Sequence, residues 1–283
     1  MTQCMGQWQL ELFFKRKQEL QDKILPFLRQ NNLTRLNITN KNRKDDLLQS
    51  VATIYDGLPE ARLCVHYALK WNSKGSPEAT LKAFQDFCQQ LAQYKGASVL
   101  LVSGTRPGKS DSVQALQMLK NHSHPPTCNV PVAVAFNPYF PDQADFEREK
   151  HRLESKLQTG MVDSIYLQNG NDLQRLREGL SFIQQTKGSK SSVQVLGSVF
   201  LPSKKLLAQM KFRPWNGVFL SKDFLSSVEK AEEITVQILS VYAQHGVLPL
   251  LESNIQKVDE LRHALDLFKQ GSSHASSSGN STS

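Results

Sequence analysis

The polar residues that follow short apolar runs are the first candidates for chemistry in this chain. In order they are Glu11 or Phe14, Thr39 to Lys41, His66, Ser103 to Lys109, Asn137 to Tyr139, Gln168 to Gly170, Leu201 to Ser203, and Glu252 to Asn254. A carboxylate, an imidazole, amides and Gly/Pro-rich turns can hold a polar ligand and move a proton. The same composition also describes an ordinary ring of exposed loops. His66 closes an apolar run, where it can serve in acid–base work or as a hydrogen-bonded structural residue. Ser103-Gly-Thr-Arg-Pro-Gly-Lys109 places two glycines and two cations where a phosphate could sit, but lacks the P-loop spacing. It reads equally as a turn. His122, His124 and Cys128 are metal-ligand types in a Pro-rich stretch on the N-terminal side of a strand, so no metal is expected. The sequence has no Ser nucleophile elbow and no H-E-x-x-H.

Short apolar runs alternate with amphipathic stretches, and this alternation must position those residues. The runs are Gln9–Phe14, Arg35–Thr39, Arg62–Tyr67, Ser98–Gly104, Val130–Phe136, Ser164–Gln168, Val193–Leu201 and Val247–Leu251. Helical patterns fall between them; Pro77–Tyr94 is one, with Leu81, Phe84, Phe87, Cys88 and Leu91 on one face. Runs apolar on both faces, such as Ser98–Gly104, belong in a parallel sheet covered by helices. An open doubly wound sheet fits the same alternation. Eight units without a G-x-G-x-x-G after the first run favour a single closed eight-stranded parallel β/α barrel over residues 8–270. In such a barrel the strand C-termini carry the site. Phe212–Asp223 interrupts the seventh unit as an inserted loop or short element. The Ser-rich segment Gly271–Ser283, with nothing larger than Ala to bury, is expected to be a disordered tail.

The chain has 283 residues, 39% of them hydrophobic, enough for a sizeable core. No run approaches the roughly 20 apolar residues of a membrane helix, and the first residues lack the order of a secretory signal. The expectation is a soluble cytoplasmic protein without membrane contact. Cys4, Cys64, Cys88 and Cys128 are scattered and read as reduced thiols. The net charge is +8, which favours anionic ligands such as phosphates, polyglutamate or nucleic acid, or simply a solvated surface. Basic runs stand at Lys15–Lys17 and Lys41–Lys44 without interleaved aromatics, so nucleic acid is not expected. A homo-oligomer remains open.

Several segments together resemble the methylenetetrahydrofolate reductase family. Val65-His-Tyr-Ala68 is similar to that family's third strand, which ends in a His. Val99 to Lys109 is similar to its apolar strand and Pro-containing loop. Val132-Ala-Val-Ala-Phe-Asn-Pro-Tyr-Phe-Pro141, with the helix to Lys156 and Gly160, is similar to the next unit. Val195-Leu-Gly-Ser-Val-Phe-Leu-Pro202 matches the seventh strand, and the register holds over roughly residues 8 to 255.

The resemblance implies a barrel with FAD at its mouth, reduced by NADH or NADPH, that passes hydride to methylenetetrahydrofolate in one-carbon metabolism and methionine biosynthesis. It implies Glu11 as general acid. It places Thr39, His66, Ser103, Gly104, Thr105 and Lys156 at flavin positions, Lys156 on the phosphate, and Gln168 near the folate. The sequence also departs from the family. Ser103 and Thr105 stand where an Arg and an Asp are usual, Asn40 where an aromatic is, Phe140 where a His is; Arg152 and Ser155 fall on other flavin-contact positions. Two readings therefore stand side by side: a divergent FAD-dependent oxidoreductase, or a non-catalytic relative that binds or regulates.

Overall fold

The computed structural model describes residues 8–103, 111–122, 129–187 and 192–278. Its eight strands are β1 (Gln9–Leu12), β2 (Arg35–Ile38), β3 (Arg62–Ala68), β4 (Ser98–Val102), β5 (Val132–Phe136), β6 (Ser164–Leu167), β7 (Gln194–Val199) and β8 (Leu248–Leu251). They form a closed barrel in sequential order, and every paired strand described is parallel. The expected closed barrel is therefore present and the open sheet is not.

Helices fill the intervals: α1 (Lys17–Glu19), a π turn (Leu20–Ile24), α2 (Leu25–Gln30), α3 (Leu47–Gly57), α4 (Leu69–Asn72), α5 (Pro77–Leu91), α6 (Ser112–His122), α7 (Gln143–Leu157), α8 (Leu173–Lys187), α9 (Lys204–Phe212), α10 (Val228–His245) and α11 (Val258–Ser278). Their ends follow local chemistry. The Ser76 hydroxyl accepts from Ala79 N–H and Pro77 opens α5, whose buried face is the predicted Leu81, Phe84, Phe87, Cys88 and Leu91. Pro26 has no N–H to offer; just before it the Leu25 N–H reaches back to the Leu20 carbonyl, which widens the helix into its π turn. Helix α3 starts at Leu47. Asp46 caps it by accepting from Gln49 N–H, and Asp45 instead accepts from the amides of Lys41 and Asn42.

Internal contacts group the chain into two compact units. One comprises residues 10–135 and 152–165. In it Tyr67 packs on Phe84 and Phe87 of α5, with ring centroids 5.1 and 4.9 Å apart, so this face of β3 meets the helices. Alternation then turns Cys64, His66 and Ala68 to the opposite face. Glu11, Asn37 and Cys64 are in register, so they share that face. Cys64 and Cys88 are buried thiols; Cys4 and Cys128 lie outside the described residues.

The other unit comprises residues 1–9, 136–151 and 166–283. Here Gly197 of β7 lies against the ring of Tyr242, whose hydroxyl donates to the Ser198 carbonyl at 3.1 Å. The boundary drawn at residues 270/271 falls inside a helix, because α11 continues to Ser278. Gly271 is buried there, and a Cβ on it would lie 2.4 Å from Leu239 Cβ of α10. The absence of a side chain at Gly271 lets two helices touch, which composition did not reveal. Residues 279–283 lie outside the described residues. The inserted loop after α9 is pinned to the segment following β6: Phe219 bridges to Gly170, and Asn171 and Ser221 exchange two hydrogen bonds of 2.8 and 2.9 Å. No helix among the described residues is long and apolar enough to cross a membrane.

Candidate functional site

The structure places two of the expected site positions, Glu11 and His66, on one face with Asn37 in the first unit. Glu11, at the end of β1, is 7% exposed and sits in register with Asn37, which is fully buried. The Asn37 side-chain nitrogen lies 3.1 Å from Nε2 of His66. If the amide donates there, Nε2 is unprotonated and the imidazole is neutral. Its titration agrees, because burial first and the Lys41 charge second push His66 from 6.5 down to about 4. Oδ1 of Asn37 has no partner among the described residues, an orphaned acceptor in a buried place. Thr39 lies two residues beyond Asn37, half-buried on the wall of a cavity beside the ends of β1 and β2.

The His66 environment predicts an acid-side loss of stability. The unfolded chain takes a proton near pH 6.5 and the folded chain only near pH 4. The stability that depends on a neutral His66 is therefore complete above pH 6.5 and is lost as pH falls toward 4. The ring keeps some solvent contact, so the loss is at most about 3 kcal/mol. Urea denaturation from pH 7 to 4 should show a shallower decline for His66→Gln than for wild type. Parallel declines would remove His66 from the account.

Ser103, Arg152 and Lys156, described residues at expected flavin positions, hold protein partners. Ser103 Oγ accepts from Ser112 N–H at 2.9 Å and donates to Ser112 Oγ at 3.0 Å, so it braces the start of α6. Asp111 sits at the same helix start, accepting from Val113 N–H at 2.6 Å and from Arg152 at 2.6 Å. Burial pushes the Asp111 carboxyl up, but Arg152 and the amides of Val113 and Gln114 outweigh it and hold it below the usual value. Lys156 is 3% exposed, and its Nζ donates to the Ala135 carbonyl at 2.9 Å. Asn40 is also structural here. Its side-chain oxygen accepts from Ala68 N–H and from Asn72, tying the end of β2 to the end of β3. Gly104 and Thr105 lie outside the described residues, as do His124 and Cys128.

A diphosphate wants uncommitted cations and helix N–H groups. Among the described residues of this region, the helix start already holds a carboxylate. The described cations at expected flavin positions, Arg152 and Lys156, hold protein oxygens, while Arg106, Gly108 and Lys109 lie outside the described residues. Lys156→Met, which keeps the stem and removes the donor, should cost about 1–3 kcal/mol of folding stability by leaving the Ala135 carbonyl without that donor. Unchanged stability on chemical denaturation would show that the ammonium is instead available to a ligand.

The second unit carries its own polar cluster, at the ends of β6, β7 and β8. Glu252 follows β8, and its carboxylate accepts from Ser198 Oγ at 2.6 Å and from the Asn169 side chain at 2.6 Å. Gln168, the expected folate contact, is half-buried beside Asn169, and its side-chain oxygen accepts from Asn169 N–H. The Asn137 amide donates to the Gly217 carbonyl at 2.9 Å, and a Cβ on Gly217 would lie 3.8 Å from Gln168 Nε2. The inserted loop therefore reaches the amides of Asn137 and Gln168. Sequence reading placed Asn169 and Glu252 in the polar ring but did not single them out. Asn37, Asp111 and Ser198 were missed; the available signal at Asn37 was one amide inside the apolar run Arg35-Leu-Asn-Ile38. No group of three or more His, Cys, Asp or Glu that could hold a metal occurs among the described residues.

Fold and site together define an eight-stranded parallel β/α barrel with polar clusters at its strand C-termini. No protein-family profile matches the chain, and no curated protein does. Solved structures do match. A protein from Clostridium thermocellum that binds two copies of 5-methyl-5,6,7,8-tetrahydrofolic acid is 12% identical, with 94% of each chain covered and a TM-score of 0.61. A GH10 endoxylanase retrieved from sugarcane soil metagenome is 14% identical, with 88% of this chain and 86% of that chain covered and a TM-score of 0.56. Xylanase 10B from Thermotoga maritima is 12% identical, with 89% and 84% covered and a TM-score of 0.54. At these identities the likeness is one of fold.

Proposed function

We propose that this barrel binds a reduced folate, and that it acts as a binding protein rather than as a flavin-dependent reductase. The observation that carries the reading is the Glu252 carboxylate, oriented by Ser198 and Asn169 beside the Gln168 amide. The pyrimidine edge of a pterin presents two adjacent N–H donors and a carbonyl oxygen. A fixed carboxylate takes the donors and an amide N–H meets the oxygen. The sequence resemblance to methylenetetrahydrofolate reductase supports the same ligand class, and so does the methyltetrahydrofolate bound by the Clostridium thermocellum barrel. The engaged state of Arg152, Lys156 and the α6 start argues for binding without FAD.

One observation favours the second reading, a divergent oxidoreductase in which reduced FAD passes hydride to the folate. Glu11 is buried at the end of β1 with Asn37 and His66 on the same face, where a proton donor would be expected. Calorimetric titration with 5-methyltetrahydrofolate and, separately, fluorescence quenching of FAD test both. Folate binding without FAD quenching is the expected result. FAD quenching together with NADPH or NADH oxidation would establish the reductase reading. A folded protein that binds neither at about 1 mM would overturn both.

A further inference from the structure

Two basic runs that the sequence keeps apart, Lys15–Lys17 and Lys41–Lys44, meet at one cavity in the first unit. Its volume is about 390 Å³, within the range of small-molecule sites. Lys15, Arg16, Lys17, Lys41 and Lys44 line it, with Asp45 and Asp46 as its carboxylates. The five cations are exposed and clustered around one concavity. Those carboxylates are turned to the backbone: Asp45 accepts from the amides of Lys41 and Asn42, and Asp46 from Gln49 N–H at 3.0 Å. Nearby Glu19 likewise accepts from Lys15 N–H at 2.9 Å. The acids thus shape the loops, and the cavity keeps an excess of positive charge.

Crowded like charges repel, and an anion set among them relieves the repulsion. Four of the five cations are lysines. An ammonium is a point charge that meets phosphate oxygens from any direction, whereas planar carboxylates favour the arginine fork. Leu12, Phe14 and Ile38 add apolar wall for an organic body. We propose that this cavity binds an organic phosphate, with its phosphate groups on the lysines and its body against Leu12, Phe14 and Ile38. The site is independent of the folate reading, which rests on residues of the other unit.

ADP serves as the probe, in calorimetric titrations at low and high salt, with triglutamate and a short single-stranded oligonucleotide as comparators. ADP should bind, and more weakly as salt rises. Lys17→Glu/Lys44→Glu should weaken it by at least about ten-fold, since each reversal removes a charge-assisted contact to the phosphate and sets a carboxylate in its place. Lys95→Glu/Lys222→Glu, an equal change of net charge at exposed positions elsewhere, should leave ADP binding within about two-fold. Both double variants should melt with the wild type and bind 5-methyltetrahydrofolate as it does, so the two proposals fail separately. No ADP binding at about 1 mM, equal losses in both double variants, or tighter binding of triglutamate or the oligonucleotide would each overturn the proposal.

Discussion

Glu252→Gln is expected to weaken 5-methyltetrahydrofolate binding by roughly ten- to hundred-fold, with little loss of stability. The substitution keeps the size of the side chain and its oxygen for the Ser198 hydroxyl, which now donates to Glu252 at 2.6 Å. Asn169 can turn its amide to offer an oxygen to the new N–H. What disappears is the negative charge and one acceptor edge. A charge-assisted pair of hydrogen bonds to the ligand becomes one neutral bond and one donor–donor clash, a loss of about 1.5–3 kcal/mol. Ser198→Ala should weaken binding less, because it loosens the carboxylate without removing it. Calorimetric titration of the three proteins gives the ranking directly. Wild-type affinity in Glu252→Gln would sink the assignment of the pterin to this cluster.

Gly197→Ala should destabilise the barrel by about 3 kcal/mol, in the upper range for overpacking a full core. A Cβ at this position would lie 2.2 Å from Cζ of Tyr242. Tyr242 cannot move aside cheaply, since it is fully buried and its hydroxyl donates to Ser198 in the same strand. Strand β7 and helix α10 would have to separate. The cause can be isolated with a double-mutant cycle: in a Tyr242→Leu background the smaller side chain leaves room, so Gly197→Ala should cost at least about 1 kcal/mol less. Urea denaturation measures all four proteins. A cost below about 1 kcal/mol in the wild-type background would mean that the strand and helix part without strain.

The two predictions depend on the sequence in different ways. Gly197 was visible as a glycine in an apolar run, and a glycine there signals a close approach. The run could not say that Tyr242, 45 positions on, is what approaches. Glu252 was visible as a polar residue at a strand end. Its partners are Ser198 on β7 and Asn169 in the segment after β6, so no local pattern joins them. The same limit holds at the positions expected to meet a flavin. Arg152 and Lys156 stood at positions where a resemblance implied ligand contacts, but their oxygens come from Asp111 and Ala135, 41 and 21 residues away.

By itself the sequence determined the architecture. Eight short runs, apolar on both faces and separated by amphipathic helices, can hide their surfaces only as a covered parallel sheet, and the structure closes it into a barrel. It also determined the ring of polar positions, because residues at strand C-termini share one end of any such barrel. Tertiary structure decided which of those residues are ligands in waiting and which are braces. A charged side chain on a strand or helix reads the same in sequence whether it faces a ligand or a neighbouring carbonyl. The difference lies in long-range hydrogen bonds, such as Lys156 to Ala135 and Asn40 to Ala68. The convergence of Lys15–Lys17 with Lys41–Lys44 was decided there too, since only the parallel pairing of β1 with β2 brings the two following loops to one cavity.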